Sequence, residues 1–86
     1  MRVTIPSPLR SYTRGLSEVA ASGATFADLL LDLERQFPGI RFRMIDEQNR
    51  IRRHIRFFVE RELVTDLAQA LRPSDEIQII CALSGG

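Results

Sequence analysis

Between Thr25 and Phe37, the apolar residues Phe26, Leu29, Leu30, Leu33 and Phe37 recur at regular intervals. That is the i, i+3, i+4, i+7, i+11 spacing of one buried helix face. Thr25 can cap the N-terminus, and Asp28 sets a carboxylate in the first turn, where the helix dipole favours it. Pro38-Gly39 stops the run, and Asp28, Asp32, Glu34 and Arg35 cover the rest of the surface. A helix with one apolar stripe must bury it against another layer. The 86 residues allow a single domain over 1–86. A chain this small removes only about 60–65% of its unfolded surface from water, leaving room for one core and little for a deep cleft.

The flanking segments indicate what the helix packs on. Val3-Thr4-Ile5 alternates and reads as a strand stopped by Pro6-Ser7-Pro8, with a loop running on to Gly15. Leu16 to Ala20 forms a second strand with Val19 inward, and Ser22-Gly23 breaks it. After the helix, residues 40–54 are dense in arginine. They read as an irregular connection with a short helical turn near Arg43-Met44, and Ile40, Phe42 and Ile45 are its core candidates. Ile55, Phe57 and Val59 alternate as a third strand, Glu60-Arg61-Glu62 turns, and Leu63-Val64 begins a short edge strand. Leu67 and Leu71 suggest one helical turn over Thr65–Leu71, Pro73-Ser74-Asp75 is a turn, and Ile77, Ile79 and Cys81 alternate as the last strand. Two hairpins separated by one helix predict an α+β domain, a mixed four- to five-stranded sheet with the helix across one face. The first and last strands are expected side by side and parallel at its centre.

Composition excludes several function classes. The net charge of +1 exerts no strong pull on nucleic acid or membranes. No stretch approaches the ~20 apolar residues of a membrane span, and no apolar leader opens the chain. The lone Cys81 cannot form an internal disulfide, and a small domain without such staples fits the cytoplasm. All twelve basic residues are arginine, so no lysine is present to receive another protein's tail.

The remaining signal is Gly85-Gly86, behind Ala82-Leu83-Ser84 and the last strand. Two glycines at fixed places occur by chance at roughly 0.5%. Without a Cβ, such a tail lies extended in a slot too narrow for side chains, and residues 82–86 read as a flexible arm on a rigid sheet. A carboxylate is a poor acyl donor; adenylation would make it a mixed anhydride, from which sulfide or a persulfide would displace AMP, sulfide leaving a thiocarboxylate directly and a persulfide leaving one once a thiol reduces the S–S bond.

Leu71-Arg72-Pro73-Ser74-Asp75-Glu76-Ile77-Gln78-Ile79-Ile80 followed by Ala82-Leu83-Ser84-Gly85-Gly86 resembles the C-terminal pattern of the MoaD/ThiS family of β-grasp (ubiquitin-like) sulfur carriers. Arg56-Phe57-Phe58-Val59 is similar to that family's third strand. Val3-Thr4-Ile5-Pro6, Leu9-Arg10, Thr13, Gly15, Pro38-Gly39-Ile40 and Arg43-Met44 look most like the CysO-type carriers of cysteine synthesis. The resemblance implies that Gly86 is adenylated and thiocarboxylated, with Gly85, Ser84 and Leu83 as the tail behind it. It implies a carrier rather than an enzyme, with no catalytic residue, metal or cofactor of its own. Its implied partners are a ubiquitin-activating-type adenylating enzyme using ATP and magnesium, a sulfur donor or sulfurtransferase, a sulfur-accepting synthase and a tail-processing peptidase. A molybdopterin synthase small subunit and a ubiquitin-like protein modifier share the tail chemistry and remain alternatives. Two departures stand out: Glu60-Arg61-Glu62 where many members have Asn-Gly, and Cys81 where several have proline.

Outside the tail, Phe58 and Ile80 take the outward phase of neighbouring strands and are candidates for partner docking, together with Arg53 and Arg56. The cluster Arg41, Arg43, Arg50, Arg52, Arg53 and Arg56 reads as a solvated connection or as a surface for an acidic partner. RNA is disfavoured because no aromatic stacking platform is evident nearby. His54 has no metal-ligand spacing around it and reads as a surface residue, and Cys81 as a small apolar residue facing the core.

Overall fold

The computed structural model describes residues 1–82. Its strands are β1 (Arg2–Thr4), β2 (Glu18–Ala20), β3 (Ile55–Val59), β4 (Glu62–Leu63) and β5 (Ile77–Cys81), and its α-helices are α1 (Phe26–Gln36) and α2 (Ile40–Met44). They form one five-stranded sheet in the order β2-β1-β5-β3-β4. β1 and β5 run parallel at the centre, with Val3 beside Ile77, and every other neighbour pair is antiparallel. This is the mixed sheet with a parallel central pair expected from the strand order, and it agrees with the β-grasp fold that the resemblance implies. Alternation sets the faces: Val3, Ile55, Phe57, Val59, Ile77 and Ile79 are buried against Phe26, Leu29, Leu30 and Leu33 of α1. Phe26 and Phe57 meet with ring centroids 4.8 Å apart and planes tilted by 44°, a geometry that aromatic pairs favour.

The ends of α1 are tied to distant parts of the chain. Thr25 Oγ1 accepts the Asp28 amide at 3.2 Å, as its type and position predict. The two preceding helix amides, of Phe26 and Ala27, donate to the carbonyls of Gln69 and Leu67 at 2.9 and 2.8 Å. Residues 65–71 are therefore not the expected helical turn. Asp66 Oδ1 accepts the Ala68 amide and its carbonyl accepts the Gln69 amide, closing a tight turn instead. The freed carbonyls of Leu67 and Gln69 then satisfy amides that a helix N-terminus leaves unpaired. Leu67 and Leu71 still pack on the core.

The connection after α1 is more regular than its sequence suggests. Gly39, at φ 97°, turns the chain, and the Glu34 carboxylate accepts the amides of Gly39 and Arg41 at 2.9 and 3.0 Å. α2 follows over all of Ile40–Met44, with Ile40 and Met44 buried one turn apart. Ile45 is buried as expected, but Phe42 faces solvent at 55% exposure and is not a core residue. Being two positions from each buried residue, it falls on the opposite helix side. Asp46 then closes a loop by accepting the amides of Gln48 and Arg50 at 2.8 and 2.9 Å, and Ile45 pairs with Ile51.

Smaller differences have local causes. A 3-10 helix at Ser7–Leu9 replaces part of the expected loop, with Pro at its start. β4 is shifted by one residue because Val59 pairs with Glu62, leaving only Glu60 and Arg61 in the turn. Val64 then drops into the core.

Candidate functional site: the tail root and the open sheet face

β5 delivers the chain to the tail from the centre of the sheet. Its last residue, Cys81, pairs with Ile55, and the Ala82 amide donates to the His54 carbonyl at 2.7 Å. The root is thus fixed to the start of β3, and His54 is exposed as expected while its backbone does the holding. Leu83, Ser84, Gly85 and Gly86 lie outside the described residues. Cys81 is half-buried and packs against the core. Burial pushes its thiol pKa up, which disfavours the nucleophilic thiolate.

Among the described residues no helix covers the sheet face opposite α1, where the outward strand positions are exposed or half-buried. Phe58 of β3 lies directly across from Gln78 of β5, and Arg56 directly across from Ile80. Phe58 is half-buried and Ile80 is 42% exposed, so the structure brings Phe58, Ile80 and Arg56 onto one face. Leu63 of β4 pairs with Phe58 and is 51% exposed, extending the apolar strip to the sheet edge. Leu63 was readable only as an edge-strand residue; the two-residue turn at Glu60-Arg61 puts it beside Phe58. Arg56 Nη1 donates to the carbonyls of Arg53 and Ile55 at 2.7 and 2.9 Å, which holds its guanidinium at the foot of β3. Arg53 is exposed at that same foot, and Arg53, Arg56, Leu63 and Thr65 help line an open groove of about 530 Å³.

The six-arginine cluster is divided by the loop. Arg41 turns its Nη2 to Asn49 Oδ1 at 3.1 Å, while Arg52 lies over the Phe42 ring. Among the described residues no three His, Cys, Asp or Glu side chains converge as metal ligands, and no helix is long and apolar enough to cross a membrane. The open face thus carries an apolar strip of Phe58, Ile80 and Leu63 with Arg53 and Arg56 at its foot, next to the root of the tail.

The sequence profile of the ThiS family matches residues 3–86. The chain belongs to the ThiS family. It is 35% identical to the sulfur carrier protein CysO of Mycobacterium tuberculosis and of Mycobacterium bovis, over 98% of this chain and 96% of theirs. This ThiS-family fold superposes on the crystal structure of Mycobacterium tuberculosis CysO with a TM-score of 0.90 at 33% identity, covering 95% of this chain and 98% of that one. The Amycolatopsis orientalis CysO, solved in a complex with BexX, gives the same TM-score and identity over 99% and 98% of the two chains. SAMP1 from Haloferax volcanii matches at a TM-score of 0.80 and 25% identity, over 100% and 98%.

Proposed function

We propose that this ThiS-family chain is a sulfur carrier working in the cytoplasm, with Gly86 as its acyl-carrying residue. The full-length likeness to CysO carriers supports this most strongly. The carboxylate of Gly86 attacks the α-phosphate of ATP on a ubiquitin-activating-type enzyme that also binds magnesium, releasing pyrophosphate. Sulfide then displaces AMP and leaves the thiocarboxylate, which a synthase consumes. With a persulfide donor the first product is an acyl disulfide, and a thiol reduces it to the same thiocarboxylate. Cysteine synthesis is the favoured destination of the sulfur.

In this proposal the enzyme grips Phe58, Ile80 and Leu63 on the open face, with Arg53 and Arg56 at its foot. Gly85, Ser84 and Leu83 thread toward the nucleotide, where slender residues pass most easily. The chain supplies position and no catalytic group. ATP–pyrophosphate exchange by the adenylating enzyme tests this: the chain should support exchange, and a version extended by one alanine after Gly86 should not. Equal exchange by the extended chain would refute the role of Gly86.

The likeness to the modifier SAMP1 supports a second use of the same acyl adenylate, transfer to a lysine amine of another protein. Conjugates that survive boiling in reductant would identify it.

A further inference from the structure

We propose that Arg52, braced on Phe42 and flanked by Arg43, is a receptor for a carboxylate on the acidic protein surface that meets the tail root. The inference rests on the carrier proposal for its biological setting and on separate residues for its geometry. The Arg52 guanidinium carbon lies 4.5 Å from the Phe42 ring centroid, and Arg52 Nε donates to the Phe42 carbonyl at 2.7 Å. The Arg52 amide is fixed to the Met44 carbonyl at 2.9 Å. The Nε edge of the guanidinium is therefore committed and the group is held against the Phe42 ring, while its Nη groups remain for a bidentate acceptor. That fork matches carboxylate geometry, and a preset side chain loses less entropy on binding.

The surroundings supply the charge and the place. Phe42, Arg43, Arg52 and His54 line a hollow of about 300 Å³. The carbonyl of that same His54 holds the Ala82 amide, so the hollow adjoins the point where the tail begins. The ion pairs among the described residues are Arg2–Glu76 and Arg35–Asp32, and neither involves an arginine of the 41–56 cluster. Asp46, on the neighbouring loop, spends Oδ1 on the amides of Gln48 and Arg50; Arg50 and Arg52 also stabilise its charge from a distance, without forming an ion pair with it. Arg53 and Arg56 continue the positive strip toward the open face. Phe42 supplies the aromatic group that the sequence did not reveal, but Arg52 covers one of its faces. A single ring so occupied makes a poor platform for successive bases, which favours an acidic protein over RNA.

The test uses Arg52→Gln and Phe42→Leu, with Arg72→Gln as the control on the loop at the opposite end of β5. With the chain as varied substrate of the adenylating enzyme, Arg52→Gln should raise KM about tenfold with kcat retained, and should flatten its salt dependence. Phe42→Leu should raise KM by a smaller factor, and Arg72→Gln should match the parent. An Arg52→Gln KM equal to the parent's would overturn the proposal. A second arm needs no enzyme: an oligoglutamate peptide should shift the Arg52 Nε–H resonance, and Phe42→Leu should weaken the shift. No shift, or tighter binding of an RNA oligonucleotide through Arg52, would also overturn it. Failed exchange by the parent chain would count against the carrier proposal, and the peptide arm would still decide this one.

Discussion

Replacing Arg61 with glycine should stabilise this protein. Val59 pairs with Glu62, so β3 and β4 are joined by Glu60 and Arg61 alone, at φ 49° and 72°. A two-residue hairpin turn with both φ positive is the type that Asn-Gly satisfies most easily. A side chain in the left-handed region costs roughly 1–2 kcal/mol, and glycine forfeits roughly 0.5–1 kcal/mol of that through its greater unfolded freedom. The net gain for Arg61→Gly is about 0.5–1 kcal/mol, or a Tm rise of about 4 °C for a domain of this size. Little offsets it, because Arg61 is exposed and makes no ion pair among the described residues. Glu60 differs: its carboxylate accepts the Glu76 amide at 2.6 Å, so Glu60→Asn trades relieved strain for a lost bond and should give no comparable gain. Urea melts should show a higher midpoint for Arg61→Gly at unchanged m. An unchanged or lower midpoint would refute the strain argument.

Other perturbations have equally definite outcomes. In Gly23→Ala the new Cβ would collide with the Leu29 amide nitrogen and sit 2.8 Å from the Asp28 carbonyl carbon; urea melts should show a loss of about 1–3 kcal/mol. Phe57→Ala removes a fully buried ring from the Phe26 contact and should cost about 3–5 kcal/mol. That is about a quarter or more of the roughly 4–13 kcal/mol available to a chain of this length, and calorimetry should find a Tm lower by more than about 10 °C. The Arg50 amide, above all, holds the Asp46 carboxyl below the usual aspartate range. A lowered folded pKa means its contribution is complete above the unfolded value and disappears as pH falls through the folded one. Exchange of the Arg50 and Gln48 amides should therefore quicken, after correction for intrinsic rates, only on strong acidification.

What the sequence made legible is what periodicity encodes. The stripe from Phe26 to Phe37 and the alternation of Ile55, Phe57 and Val59 depend on local spacing, and their burial follows it. The same alternation placed Phe58 and Ile80 outward and Cys81 inward. α2 was nearly hidden because Pro38-Gly39 reads as a stop, and its cap comes from Glu34, five residues before Gly39. Only a turn near Arg43-Met44 was legible, and Met44 was not among the expected core residues although it is buried. Residues 65–71 were misread because Leu67 and Leu71 repeat at helical spacing, while the carbonyls of Leu67 and Gln69 pair with the distant amides of Ala27 and Phe26 at the start of α1. Phe42 looked like core by residue type alone, and its stacking with Arg52 depends on a loop closure that no short-range pattern records.

Intact-mass measurement of this chain after incubation with an adenylating enzyme of the ubiquitin-activating type, ATP, magnesium and sulfide tests the central claim most directly. The account predicts a gain equal to one oxygen replaced by sulfur, localised by fragmentation to Gly86 and absent without ATP. An unchanged mass, under conditions in which the same enzyme thiocarboxylates an established carrier, would contradict it.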